Sequence, residues 1–171
     1  MDMFGQPFIE EYLVFVALTL LLVLSGLAIK LLTSVLGIMR MQRHAFVLDE
    51  LIGQLLHRRD FLQTFIRICA WNIMVSSIIF CSGALTLGVL PLVWAFINLG
   101  LFFPDANLFR LHLYLWIEET ANILSVALGI WIGQNLYVLS ENFQIFVWTA
   151  ISISSLYVVS SLLETFEIHN A

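Results

Sequence analysis

Two adjacent carboxylates, Glu118 and Glu119, sit about ten ångströms inside an otherwise uncharged stretch that runs from Leu111 to Leu139. In hydrocarbon an ionisable group costs roughly 2.5–3.5 kcal/mol at mid-depth, so such residues are expected to face protein or water. Three kinds of chemistry suit an acid placed there. It can accept hydrogen bonds that hold helices together, relay a proton or cation, or contact a partner subunit. A relay calls for several acids at graded depths, and this stretch offers one pair. Neighbouring helical positions differ by about 100°, so the two acids belong to different faces. Glu118 continues along Asn122, Ser125, Gly129 and Gly133, which are polar or small at every step and make the natural helix–helix seam. Glu119 continues along Ile123, Val126 and Ile130, which suits lipid or an apolar neighbour. It is therefore expected to tilt toward the headgroups or to be protonated.

The remaining polar residues inside apolar stretches are Asn72, Asn98, Gln134 and Asn135. If both helices have Asn72 and Asn135 at their inner ends, Asn72 approaches Gln134–Asn135. Asn98, or its neighbouring backbone, approaches Glu118. Gly83, Ala84 and Gly88 give the preceding stretch a small face of its own. No phosphate loop, Gly-x-Ser-x-Gly, HExxH or CxxC occurs, so no catalytic set is expected. The histidines His44, His57, His112 and His169 all avoid the middle of an apolar stretch, which leaves no pair to hold a haem or pigment. Cys69 and Cys81 lie about 18 Å apart along one helix, too far to bridge, and read as packing residues rather than metal ligands. Neither cofactor nor metal is expected. Tyr12, Trp71, Tyr114 and Tyr137 fall near the ends of apolar stretches, where aromatic rings anchor at the membrane interface.

The elements that position these residues must lie in a bilayer. Of 171 residues 61% are hydrophobic and 11% charged, and a soluble globule of this size lacks the polar surface to cover so much apolar side chain. A mean hydropathy of +0.98 agrees. The net charge of −5, with no basic patch, argues against nucleic acid as a partner. Counting residues between charges places full spans at about 12–38, 68–90, 111–139 and 143–163. Pro91 divides the long uncharged run 68–104, leaving 92–103 as a short re-entrant or bent segment. Whether it crosses decides the side on which the C-terminus lies. The acidic start MDMFGQPFIEE lacks the basic region of a cleavable leader, so the first apolar segment is expected to remain as an anchor. Six of the seven Lys and Arg lie between Lys30 and Arg67, which places the 40–67 connection in the cytoplasm. Within it Leu48, Leu51, Ile52, Leu55, Leu62 and Ile66 recur at helical spacing. This amphipathic stretch suits a helix lying at the membrane surface or a docking helix for a cytoplasmic partner. The expected fold is an all-α integral membrane bundle of four full transmembrane helices plus the short segment.

The run WNIMVSSIIFCSGALTLGVLPLVWAFINLG and the later LWIEETANILSVALGIWIG resemble the core of the stage II sporulation protein M family. Asn72 matches the Asn that opens a span in that family, and Gly83 and Gly88 match its spaced glycines. Asn98 with Gly100 matches a degenerate Asn-Gly element. Glu118, Ala121, Gly129 and Gly133 fit a Glu-x-x-Ala-x7-Gly-x3-Gly pattern at its full spacing. Where the family carries Pro-His-Gly, this chain has Leu113-Tyr114-Leu115. The resemblance covers 71–133. It implies a polytopic, non-enzymatic membrane protein that acts as an accessory or scaffold subunit of a larger membrane complex. In spore-formers such proteins anchor a peptidoglycan-remodelling machine, and elsewhere they resemble partners of ATP-driven transporters. The alternatives are a subunit of an ATP-driven or ion-coupled transporter, with Glu118 and the Asn residues lining a path, and a small packing subunit of an energy-converting or pigment-binding complex. Beyond the lipid bilayer, the expected partners are other membrane subunits, including further copies of this chain.

Overall fold

A computed structural model describes residues 6–35, 60–101 and 112–170. These residues form α1 (Gln6–Val35), α2 (Phe61–Thr86), α3 (Val89–Trp94), α4 (Leu113–Gln134) and α5 (Phe143–Asn170). A π-helical stretch, Ala95–Leu101, continues α3, and a single 3-10 turn, Leu136–Val138, follows α4. No strand occurs among the described residues. The four long helices rise about 45, 39, 33 and 42 Å, enough to cross a hydrocarbon core of roughly 30 Å. Each is also apolar enough to do so. The chain is thus an all-α helical bundle of multi-pass membrane character.

Helix ends fall where caps allow, which is not where charges stop. Asp60 opens α2 by accepting the Leu62 N–H on its side chain. Arg67 therefore lies inside α2, whose start precedes the expected 68. The break after α2 is made by two left-handed residues, Leu87 at φ 52° and Gly88 at φ 83°. The Gly88 N–H reaches back to the Gly83 carbonyl at 2.9 Å and closes the helix. Pro91 is therefore not the divider. It sits in the first turn of α3, where a missing N–H costs nothing. α5 runs past the expected end at 163 to Asn170, carrying Glu164 and Glu167 on its last turns. Of the 40–67 connection, 40–59 lies outside the described residues, and with it His44 and His57. Phe61–Arg67 forms the first two turns of α2.

Side-chain contacts fix the directions of the helices. Ser76 meets Ser125, and Gln134 reaches Leu87, so α2 and α4 run parallel. Tyr12 reaches Leu124 while Phe8 packs edge-on against Trp131, so α1 opposes α4. Tyr157 meets Ser125, and Ser160 reaches Tyr114, so α5 opposes α4 as well. The end of α1, the starts of α2 and α4 and the end of α5 share one end of the bundle. Gln6 and Asn170 consequently lie at opposite ends. α2 ends and α4 begins at opposite ends, and the described part of the connection, 89–101, leads from the Gly88–Ile130 contact to the Gly26–Gly100 contact, lengthwise along the bundle. Residues 102–103 of the expected short segment lie outside the described residues.

α4 is the hub. Over its apolar window 56% of the residues are buried, against 17–28% for the other three long helices. Phe8, Ala121, Leu128, Trp131, Ile132, Ile153 and Tyr157 form one core between α1, α4 and α5. Val23, Ile79, Ala95, Leu99, Val126 and Ile130 form a second between α1, α2, the π-helical stretch and α4.

Candidate functional site

The seam of α4 carries a chain of side-chain hydrogen bonds that joins three helices. Tyr157 of α5 donates its hydroxyl to Asn122 Oδ1 at 2.8 Å. That spends its only hydrogen, so the 3.2 Å contact with Ser125 is donated by Ser125. By the same count Ser76 of α2 donates to Ser125 at 3.0 Å. Asn122 Nδ2 then donates to Glu119 Oε2 at 3.3 Å. All four bonds run one way, Ser76 to Ser125 to Tyr157 to Asn122 to Glu119. The carboxylate is the terminal acceptor.

This order constrains the chemistry. A hydroxyl can take a proton on one lone pair and release another. A carboxamide accepts on oxygen and donates from nitrogen, so a proton cannot pass through Asn122 without an unstable imidic form. The amide interrupts the line as a proton wire and leaves it intact as a tie between helices. Among the described residues no buried side-chain nitrogen or oxygen lacks a partner.

Glu119, whose stripe suits lipid or an apolar neighbour, is 8% exposed, while Glu118 is half-buried. The stripe argument assumes one buried face, but α4 is enclosed by α1, α2 and α5, so Glu119 also meets protein. Glu118 lies within electrostatic reach of Tyr114, Tyr157 and Glu164. Beside them His112 bonds to Glu167, tying the start of α4 to the end of α5. His112, Tyr114, Glu164 and Glu167 line a cleft of about 440 Å³.

Glycines bring the backbones together beyond this network. A Cβ built on Gly83 would stand 2.0 Å from the Gly129 carbonyl oxygen. One on Gly133 would stand 2.3 Å from the Gly88 nitrogen and 2.4 Å from the Gly83 oxygen. Gly100 makes a seam the sequence reading did not assign, with α1. A Cβ on Gly26 would lie 2.7 Å from the Gly100 Cα. The Val23, Gly26 and Leu27 face of α1 was the available signal, hidden in a helix that is apolar all round.

The expected pairings of the Asn residues change with topology. Asn72 bonds Ser161 of α5 at 3.4 Å. It stands a bundle's length from Gln134 because α2 and α4 are parallel. Gln134 instead donates to the Leu87 carbonyl at 2.6 Å, satisfying the left-handed turn that ends α2. Asn135 is buried at the end of α4. Asn98 is exposed, and its amide bonds back to Trp94 of its own helix at 3.4 Å, so it does not reach across to Glu118.

Tyr12, expected as an interface anchor, donates its hydroxyl to the Leu124 carbonyl inside the bundle. Tyr137 is exposed, as that role requires. Both cysteines are free, Cys69 half-buried and Cys81 exposed. Among the described residues no group of three or more His, Cys, Asp or Glu is placed to hold a metal ion.

Comparison with protein-family models, with curated proteins and with solved structures finds no match.

Proposed function

We propose that this chain is a non-enzymatic accessory or scaffold subunit of a larger membrane assembly. This is the role implied by its resemblance to the stage II sporulation protein M family. The observation that carries the reading is the Ser76–Ser125–Tyr157–Asn122–Glu119 line. Its polar atoms are spent on joining α2, α4 and α5, and an amide breaks it as a conductor. Glycine-to-backbone contacts close the seam beyond it, leaving little room for a solute between α2 and α4. A bundle whose interior is committed to holding its own shape offers its surfaces for work.

In this reading the basic 40–67 connection faces the cytoplasm, by the distribution of Lys and Arg. The end of α5 then shares that side and the start of α1 faces the opposite one.

The test has two arms. Purification from the native membrane in mild detergent is expected to recover the chain with another membrane protein in fixed stoichiometry. The chain alone in liposomes is expected to carry no proton or cation flux, and Glu119→Gln to leave assembly unchanged. Flux by the isolated chain that Glu119→Gln or Glu118→Gln abolishes would establish a transport role and overturn the proposal.

A further inference from the structure

Asn98 departs from the economy of the other polar side chains. Exposed hydroxyls on the outer faces spend their single hydrogen on their own helix four residues back, as Ser25, Ser77, Thr120, Ser152 and Ser155 do. Asn98 spends one N–H on a long bond to Trp94. Its second N–H and its carbonyl oxygen have no partner among the described residues. It is nonetheless exposed, on an outer wall shared with Val75, Ile78 and Ile79 of α2, Val93 and Trp94 of α3, and Ile97 of the π-helical stretch. That wall is a groove of about 430 Å³.

The depth of this groove makes the open valences expensive. Val75 is about 21 Å along α2 from Phe61 and about 16 Å from Thr86, near the middle of a span. Lipid at that level offers acyl chains and no hydrogen-bonding group, and an unsatisfied polar group in hydrocarbon is costly.

We infer that this groove is the interface between two copies of the chain, with Asn98 facing Asn98 across the two-fold axis. The carboxamide is self-complementary. The free N–H of one copy meets the free carbonyl of the other, and symmetry supplies the second bond. Two copies inserted the same way hold every residue at the same depth, so a two-fold axis along the bilayer normal matches Asn98 to Asn98 by construction. A different protein would need a polar group at that same level. The groove supplies apolar contact around the pair, with Ile78 and Val93 more than 40% exposed in the single chain.

This inference concerns the chain's association with itself and does not depend on the accessory reading. The purified chain is reconstituted in phosphatidylcholine liposomes, and its dimer fraction is counted by single-molecule photobleaching as the protein-to-lipid ratio is lowered. Wild type is expected to dimerise, and Asn98→Leu to weaken dimerisation about tenfold, or ~1.4 kcal/mol. Asn98→Gln, which keeps the amide, is expected to retain most of it. A second measurement does not rely on changing Asn98. In a background with Cys69→Ala and Cys81→Ala, Ile97→Cys is expected to give a disulfide-linked dimer on oxidation, and Leu21→Cys on the exposed face of α1 is not. A chain that stays monomeric at every density, an Asn98→Leu variant that dimerises as wild type does, or cross-linking at Leu21→Cys without Ile97→Cys would each overturn the interface. None of these results would touch the association with other proteins, which is tested from native membranes.

Discussion

Replacing Gly83 by alanine tests whether the bundle is held by its glycine seam. The added methyl would stand 2.0 Å from the Gly129 oxygen, 2.6 Å from its carbonyl carbon and 2.9 Å from its Cα. All three are backbone atoms, so no side chain can swing aside. Ordinary contact begins near 3.4 Å, and α2 and α4 must therefore part by about 1.4 Å. Ser76 lies two turns away on the same face of α2, about 10 Å along the axis. Its 3.0 Å bond to Ser125 fails once the helices have opened there by more than about half an ångström. Overpacking of this kind costs about 1–3 kcal/mol. The lost interhelical bond adds about 0.6–1.7 kcal/mol, and the better helix propensity of alanine returns up to about 1 kcal/mol. A net loss of about 2–3 kcal/mol is expected. It is measured by reversible unfolding in bicelles with added dodecyl sulfate, followed by tryptophan fluorescence, with Ser77→Ala on the exposed face as control. The decisive comparison is Ser76→Ala in both backgrounds. It should cost about 1 kcal/mol in the wild type and almost nothing after Gly83→Ala, because the bond is already gone. An alanine variant within about 0.5 kcal/mol of wild type, or an equal Ser76→Ala cost in the two backgrounds, refutes the reasoning.

Three further outcomes are expected. Tyr157→Phe strands Asn122 Oδ1 and Ser125 together. It should cost about 1–2 kcal/mol in the same unfolding assay, and Ser125→Ala added to it should cost clearly less than Ser125→Ala alone. Leu87→Gly should raise stability by about 1 kcal/mol, since Leu87 holds φ 52° and its side chain is 63% exposed. Gln134→Ala removes the donor to the Leu87 carbonyl and should speed amide exchange at the α2–α3 junction, read by hydrogen–deuterium exchange, while leaving exchange in α1 unchanged.

Much of the candidate site is readable along one helix. The stripe Asn122, Ser125, Gly129, Gly133 announces a seam because small and polar residues at helical spacing suit close backbone approach, and each of the four meets α2, α5 or the turn between α2 and α3. The partners across the seam are not readable that way. Ser76, Tyr157, Ser160 and Ser161 look like ordinary members of apolar helices, because a hydroxyl can satisfy itself on its own helix and so carries no pattern that demands a neighbour. Glu119 shows the limit of reasoning from one face. Its stripe of Ile123, Val126 and Ile130 is apolar, and an apolar stripe packs equally well against lipid or protein. Pro91 shows a second limit. A proline marks a boundary without saying whether it ends one helix or begins the next. Here the left-handed pair Leu87–Gly88 had already ended α2.

The sequence by itself determined the solvent. With 61% hydrophobic residues and four long stretches nearly free of charge, no arrangement of this chain avoids a bilayer, because the apolar side chains outnumber what a soluble interior could enclose. It also determined the α-helical class, since uncharged runs of about 18 residues or more match a helical span and far exceed the roughly 9–11 residues of a membrane strand. Only the tertiary structure decided direction and pairing. Whether α4 runs with α2 or against it depends on how far the chain travels between Thr86 and Leu113, and hydropathy measures the length of a span but not its sense. That one choice sends Asn72 to Ser161 rather than to Gln134, sets Gly83 against Gly129, and puts Gln6 and Asn170 at opposite ends of the bundle.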